Sequence, residues 1–127
     1  MSRNQVVTMS APAALGPYSQ AIEIDGFVFC SGQLGIDPAT GKLEDGIEAQ
    51  AERALLNLEG VLGAVGLDFG DVGKVTVFIT DMANFAAMNA VYAKHVVAPA
   101  PARSTVQISA IALNAMVEIE AIARRSS

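Results

Sequence analysis

Near the C-terminal end of the chain, two runs alternate apolar and polar residues, Pro101 to Ile108 and Met116 to Ala123. A period of two marks a strand with unlike faces, and a strand cannot stand alone, so these runs oblige the chain to build a sheet. In the first run Val106 and Ile108 point to one side, while Arg103, Thr105 and Gln107 point to the other. In the second, Val117, Ile119, Ala121 and Ala123 oppose Glu118, Glu120 and Ile122. If the two pair as a hairpin with core sides matched, one cation and two carboxylates share the opposite face, and the chemistry is expected there.

The rest of the chain supplies the partners of these strands. Residues 4–9 read as a first strand ended by Ser10-Ala11-Pro12, and Gly16-Pro17 introduces a second over 18–24. Asp25-Gly26 is a tight-turn signal ahead of a third strand over 27–31. Gly32 to Lys42 is rich in glycine and turn residues and reads as a loop. From Ile47, apolar residues recur at Ala51, Ala54, Leu55, Leu58, Val61, Leu62 and Val65, the spacing of an amphipathic helix, with Gly66 as its stop. Val75 to Thr80 is β-branched and nearly all apolar, hence an internal strand. Asp81 or Asn84 can cap a second helix whose stripe is Phe85, Met88, Tyr92 and Val96, and Pro99 and Pro101 break it. The order strand, strand, strand, helix, strand, helix, strand, strand predicts a two-layer α+β fold, a mixed sheet with two helices on one face. The other face, with Arg103, Thr105, Glu118 and Glu120 beside apolar groups, fits an interface between subunits.

Composition narrows the function. At 127 residues, a single domain over 1–127 is expected. Cys30 is the only cysteine and His95 the only histidine, so an intrachain disulfide and the usual zinc ligand sets are excluded, and no metal site is expected. His95 falls in the last turn of the second helix, where a macrodipole contact is expected. With 8 Lys+Arg against 13 Asp+Glu, the net charge of −5 opposes a hold on nucleic acid. Neither a secretory apolar region nor a membrane-spanning run is evident, so a soluble, reducing, cytoplasmic setting is expected. Hydrophobic residues make up 52% and charged residues only 17%. That is high for a small domain, and part of the apolar surface is expected to be buried against other copies.

Taken in order, Gly16-Pro17-Tyr18-Ser19-Gln20-Ala21, Ser31-Gly32-Gln33 with Asp37-Pro38-Ala39-Thr40-Gly41, the strand between Asp71 and Asp81, Asn89-Ala90-Val91-Tyr92, Pro101-Ala102-Arg103-Ser104 and Val117-Glu118-Ile119-Glu120-Ala121-Ile122-Ala123 resemble the Rid (YjgF) family of reactive-intermediate deaminases. The resemblance covers nearly the whole chain. It implies a chorismate-mutase-like fold, a homotrimer with active sites in clefts between subunits, and no cofactor. It also implies hydrolysis of 2-imino acids and their enamine tautomers, such as 2-iminobutanoate and 2-iminopropanoate, to 2-oxo acids and ammonia. By resemblance, Arg103 binds the substrate carboxylate and Glu118 positions or activates water, while Tyr18, Ser31, Gly32 and Asn89 line the cleft. Many relatives carry cysteine where this chain has Thr105. The contact implied there uses backbone atoms, so Thr105 stays a substrate-binding position without thiol chemistry.

Elementary chemistry agrees with that assignment. A protonated imine beside a carboxylate is already a good electrophile, so it needs orientation and proton transfer. A guanidinium gives a carboxylate two parallel donors, each charge-assisted bond contributing roughly 1.5–3 kcal/mol. A partly buried carboxylate can shuttle protons, an effect of about 10²–10⁴ in rate. Each residue has a plainer rival role. Arg103 could be an interface ion pair with Glu118 or Glu120, and alternation cannot choose between those two carboxylates; the resemblance selects Glu118. Tyr18 and Asn89 could serve the fold alone, and Ser31 has no neighbouring base to make it a nucleophile. Two further functions stay open at this point: a protein-binding holdase that uses the apolar surface, and a ribonuclease-type translation inhibitor.

Overall fold

The computed structural model describes residues 2–126. Six strands form one sheet in the order β1-β2-β3-β6-β4-β5: β1 (Asn4–Val6), β2 (Ala21–Ile24), β3 (Phe27–Leu34), β4 (Val72–Ile79), β5 (Ala102–Gln107) and β6 (Val117–Arg124). Helices α1 (Ile47–Gly63) and α2 (Phe85–Ala93) pack against each other and cover one face. The two-layer α+β expectation and the order of elements both hold. Leu55, Leu58 and Leu62 of α1 are fully buried over Val28, Val75, Val77, Val117 and Ile119 of the sheet. Each such side chain contributes roughly 1.5–3 kcal/mol.

Local signals explain most boundaries. Asp25 and Gly26 have φ of 53° and 81°, the left-handed pair that a two-residue turn between twisted strands requires. α1 ends at Gly63, and Gly66, at φ 76°, lets Leu67 N–H donate back to Leu62 O at 2.9 Å. Asp81 caps a short 3₁₀ turn over Met82–Asn84 by accepting from Ala83 N–H at 2.9 Å, and α2 follows directly. β3 runs on to Leu34, past its expected end at Ser31. The extension is broken by a bulge: the register with β6 shifts between Cys30 and Gln33.

The expected hairpin does not form. β6 lies between β3 and β4, antiparallel to both, and β5 runs parallel to β4 at the edge of the sheet. The cause is α2, which stands between β4 and β5 in sequence; a strand-helix-strand unit returns the chain in its original direction. The assignment of faces changes with it. Along β4, Val75 pairs with Arg103 and Phe78 pairs with Glu118. Those two β4 positions are an odd number of residues apart, so their partners point to opposite faces. Arg103 and Thr105 therefore face the helix layer, and Glu118 and Glu120 face the open side. Val106, expected on the core side, is 40% exposed on that open side with Phe27, Phe29 and Ile122. Among the described residues, no helix is long and apolar enough to cross a membrane.

Candidate active site

Arg103 stands on the edge strand with its Cζ 4.6 Å from the centre of the Tyr92 ring and 5.8 Å from that of Phe85. Both rings belong to α2, and Asn89 lies between them on the same side of the helix, since residues spaced by three and four share a face. Ring faces are electron-rich and attract a cation, so the guanidinium is braced without being neutralised. Among the described residues no carboxylate lies within ion-pairing distance of Arg103. Thr105, on the same side of β5, buries a hydroxyl that has no partner among the described residues, and so does Tyr92. Burial raises the Tyr92 phenol above its usual range, with Arg103 pulling the other way. This group of residues can grip an anion.

Glu118 lies beside the β3 bulge. A side-chain carbon on Gly32 would collide with the Glu118 carboxylate, so the glycine is what admits that carboxylate against the strand. Burial raises the Glu118 pKa, and the neighbouring Glu120 charge raises it further. Ser31 holds the bulge in place: its N–H donates to Gln20 O at 3.0 Å and its hydroxyl donates to Ser19 O at 2.6 Å. Gly32 then opens onto a cleft of about 340 Å³, walled by Tyr18, Leu15, Leu34, Ile36 and Leu113 among others. Tyr18 is half-exposed on that wall, its hydroxyl oxygen 3.4 Å from Leu15 N–H.

Of the residues singled out from the sequence, Tyr18, Ser31, Gly32 and Glu118 thus gather at one place, and Arg103, Thr105 and Asn89 at another. One chain does not bring the two groups together, because they occupy opposite sides of the sheet. The shared face expected for Arg103, Glu118 and Glu120 is corrected accordingly.

Sequence reasoning missed several supports. Phe85 and Tyr92 read as helix core, although a spacing of seven beside a known cation could have suggested a pair of braces. The buried amides were also missed. Gln20 accepts from Thr8 N–H at 2.7 Å and donates to the carbonyls of Thr8, Ala11 and Pro12, tying the 8–12 segment to the cleft. Gln50 donates to Glu44 O at 3.1 Å and accepts from Met116 N–H at 2.8 Å, which fixes the chain just before Glu118. Asn57 donates to Leu34 O and Ile36 O. For Gln50 and Asn57, an amide on the apolar stripe of a helix was the available signal. Two other residues are spent elsewhere. Burial pushes the Cys30 thiol up to about 12, leaving it inert, and His95 bridges Glu52 and Glu59 of α1 instead of acting on the helix dipole.

Residues 8–125 match the sequence family described as endoribonuclease L-PSP. Reactive Intermediate Deaminase A, chloroplastic, of Arabidopsis thaliana is 48% identical over 97% of this chain, which spans 66% of that longer protein. The 2-iminobutanoate/2-iminopropanoate deaminase of Mus musculus is 43% identical, over 95% of this chain and 90% of its own length. Among solved structures, E. coli TdcF with bound serine superposes with a TM-score of 0.91 at 40% identity, covering 97% of this chain and 99% of that one.

Proposed function

The chain belongs to the endoribonuclease L-PSP family, the Rid proteins, and on that premise we propose that it is an imine deaminase whose site is completed between two copies. It hydrolyses small 2-imino acids to 2-oxo acids and ammonia. One observation carries the intersubunit part of this reading: the unpaired Arg103 cation and the Glu118 carboxylate lie on opposite faces of one sheet, each lacking what the other offers. The exposed Phe27, Phe29, Val106 and Ile122 on the open face give a second copy an apolar surface to cover. A closed ring of three copies would supply each Glu118 with a neighbour's Arg103.

In this site Arg103 of one copy holds the substrate carboxylate by two parallel bonds. Water adds to the carbon of the protonated imine while one of its protons passes to Glu118 of the other copy, giving a carbinolamine. Glu118 returns that proton to nitrogen and then takes the hydroxyl proton as the C–N bond breaks, so that ammonia and the 2-oxo acid leave. A carboxylate with a raised pKa suits both transfers, because it takes and releases a proton nearer neutrality. A reducing cytoplasmic setting agrees with the single buried thiol. RNA cleavage, which the family description names, finds less support: the net charge is −5, and the lone histidine is held between two glutamates.

The test couples the protein to a threonine dehydratase and follows release of 2-oxobutanoate. Acceleration by the wild type, reduced about 10²-fold or more in Arg103→Ala, is expected. Equal acceleration by wild type and variant would remove Arg103 from the site, and no acceleration by either would remove the activity.

A further inference from the structure

Leu113 combines three properties that folding alone does not reward. Its backbone has φ 60° and ψ 19°, a left-handed conformation that β-carbons resist and that glycine or asparagine adopts more easily. Its side chain is 68% exposed, so burial does not offset that strain. Finally, it lines the cleft that Gly32 opens onto beside Glu118. The turn that carries it is anchored on both sides: Ile111 and Ala115 are buried, and Met116 N–H donates to Gln50 at 2.8 Å. A fixed turn that forces a leucine outward into a cleft is a feature to be explained by what enters the cleft.

We infer that Leu113 is the specificity-determining residue of the deaminase site, selecting 2-imino acids with an apolar aliphatic side chain longer than methyl. This rests on the deaminase reading above. Three groups leave the imine carbon of such a substrate. The nitrogen and the attacking water belong beside Glu118, the carboxylate belongs to a guanidinium, and the side chain must take the remaining wall. That wall is Leu34, Ile36, Pro38, Ala112 and Leu113, and among the described residues no charged side chain lines the cleft. Apolar contact therefore rewards added methylenes and penalises a charged side chain, which would lose its water without gaining an ion partner.

The experiment compares hydrolysis of the imines that an amino acid oxidase generates from leucine and from alanine, taking the ratio of the two kcat/KM values. In Leu113→Gly and Leu113→Asn the ratio is expected to fall about 3–10-fold toward the alanine-derived imine, while Tm stays at or above that of the wild type. Leu113→Met, which keeps the apolar reach, retains the ratio within about twofold. A ratio unchanged in Gly and Asn variants overturns the assignment, as does a fall of the same size in Met, which would trace the effect to the turn's geometry. Binding of pyruvate and of 4-methyl-2-oxopentanoate, followed by chemical-shift titration, separates the two readings. Absent turnover with a long-chain binding preference that Leu113→Gly abolishes ends the deaminase reading and keeps Leu113 as the selector. Turnover with unchanged preference ends the Leu113 assignment alone, and neither turnover nor binding ends both.

Discussion

Arg103 stands on an edge strand with two aromatic rings of α2 behind it, whereas Glu118 stands in an interior strand, pressed over a glycine in a bulge of its neighbour. The first region leaves its charge intact: rings shield one side of a guanidinium and take nothing from its hydrogen-bonding edge. The second weakens its charge, since burial and a like charge on Glu120 both favour the protonated carboxyl. A substrate anion needs the first treatment and a proton shuttle needs the second. The edge strand also suits the cation's position, because only an edge can present a side chain of the helix layer to a second molecule without opening the core.

The most forceful way to break this pairing is to disable the regions on separate chains. Arg103→Ala and Glu118→Ala are each expected to lose about 10²-fold or more in kcat/KM. Unfolded together and refolded as a mixture, they are expected to recover roughly a quarter of wild-type activity, because hybrid assemblies regain one site built from the two undamaged regions. Measured activity that stays at the level of the separate variants would place both residues of a working site on one chain.

How much of this could be read in the sequence differs between the regions. The strand identity of 101–108 and 116–123 followed from alternation, and the inner set Val117, Ile119, Ala121 and Ala123 is buried as expected. Alternation is silent, however, about which strand is the neighbour and which of two apolar faces is covered. Val106 alternates correctly and still lies on the open side, because that side is apolar too. The strand-helix-strand order of β4, α2 and β5 already demanded a parallel crossover, and giving it precedence over nearness in sequence would have moved Arg103 to the helix side. Gly32 was legible as the start of a glycine-rich loop, but the carboxylate packed against it was not. That depended on the bulge, a register shift that no periodicity encodes.

The second test sharpens the contrast in charge. On the proposed role of Glu118 as proton shuttle, Glu118→Gln is expected to lower turnover, but stability is expected to move the other way. The folded pKa of Glu118 lies above its ordinary 4.5, so its favourable contribution is complete below that value and is lost as pH rises through the folded pKa. At pH 7 the variant is therefore expected to unfold at a higher temperature than the wild type, with the gap closing at pH 4. A variant less stable at pH 7 would mean that the carboxylate is held by bonds that favour its charge.

The smallest effect concerns the support of the Arg103 region alone. His95 follows α2 and sets Nδ1 2.7 Å from Glu59 and Nε2 2.8 Å from Glu52, both on α1, with the Phe69 ring edge-on nearby. Two carboxylates facing both nitrogens ask for both to donate, which only the imidazolium does. Burial, the largest single effect, pushes the pKa down, yet the two carboxylates together outweigh it and the net direction is up from 6.5. This clip therefore stabilises fully below pH 6.5 and fades as pH rises through the raised value. The glutamates are partly exposed, so His95→Gln is expected to cost only about 1 kcal/mol at pH 6, a few degrees of Tm, and less at pH 9. Because α2 carries Phe85 and Tyr92, the loss should appear in KM for the imino acid and leave the Glu118-dependent kcat within about threefold. Thermal unfolding at the two pH values decides the matter: an equal penalty at both would show that the bonds are neutral and that the clip carries no charge.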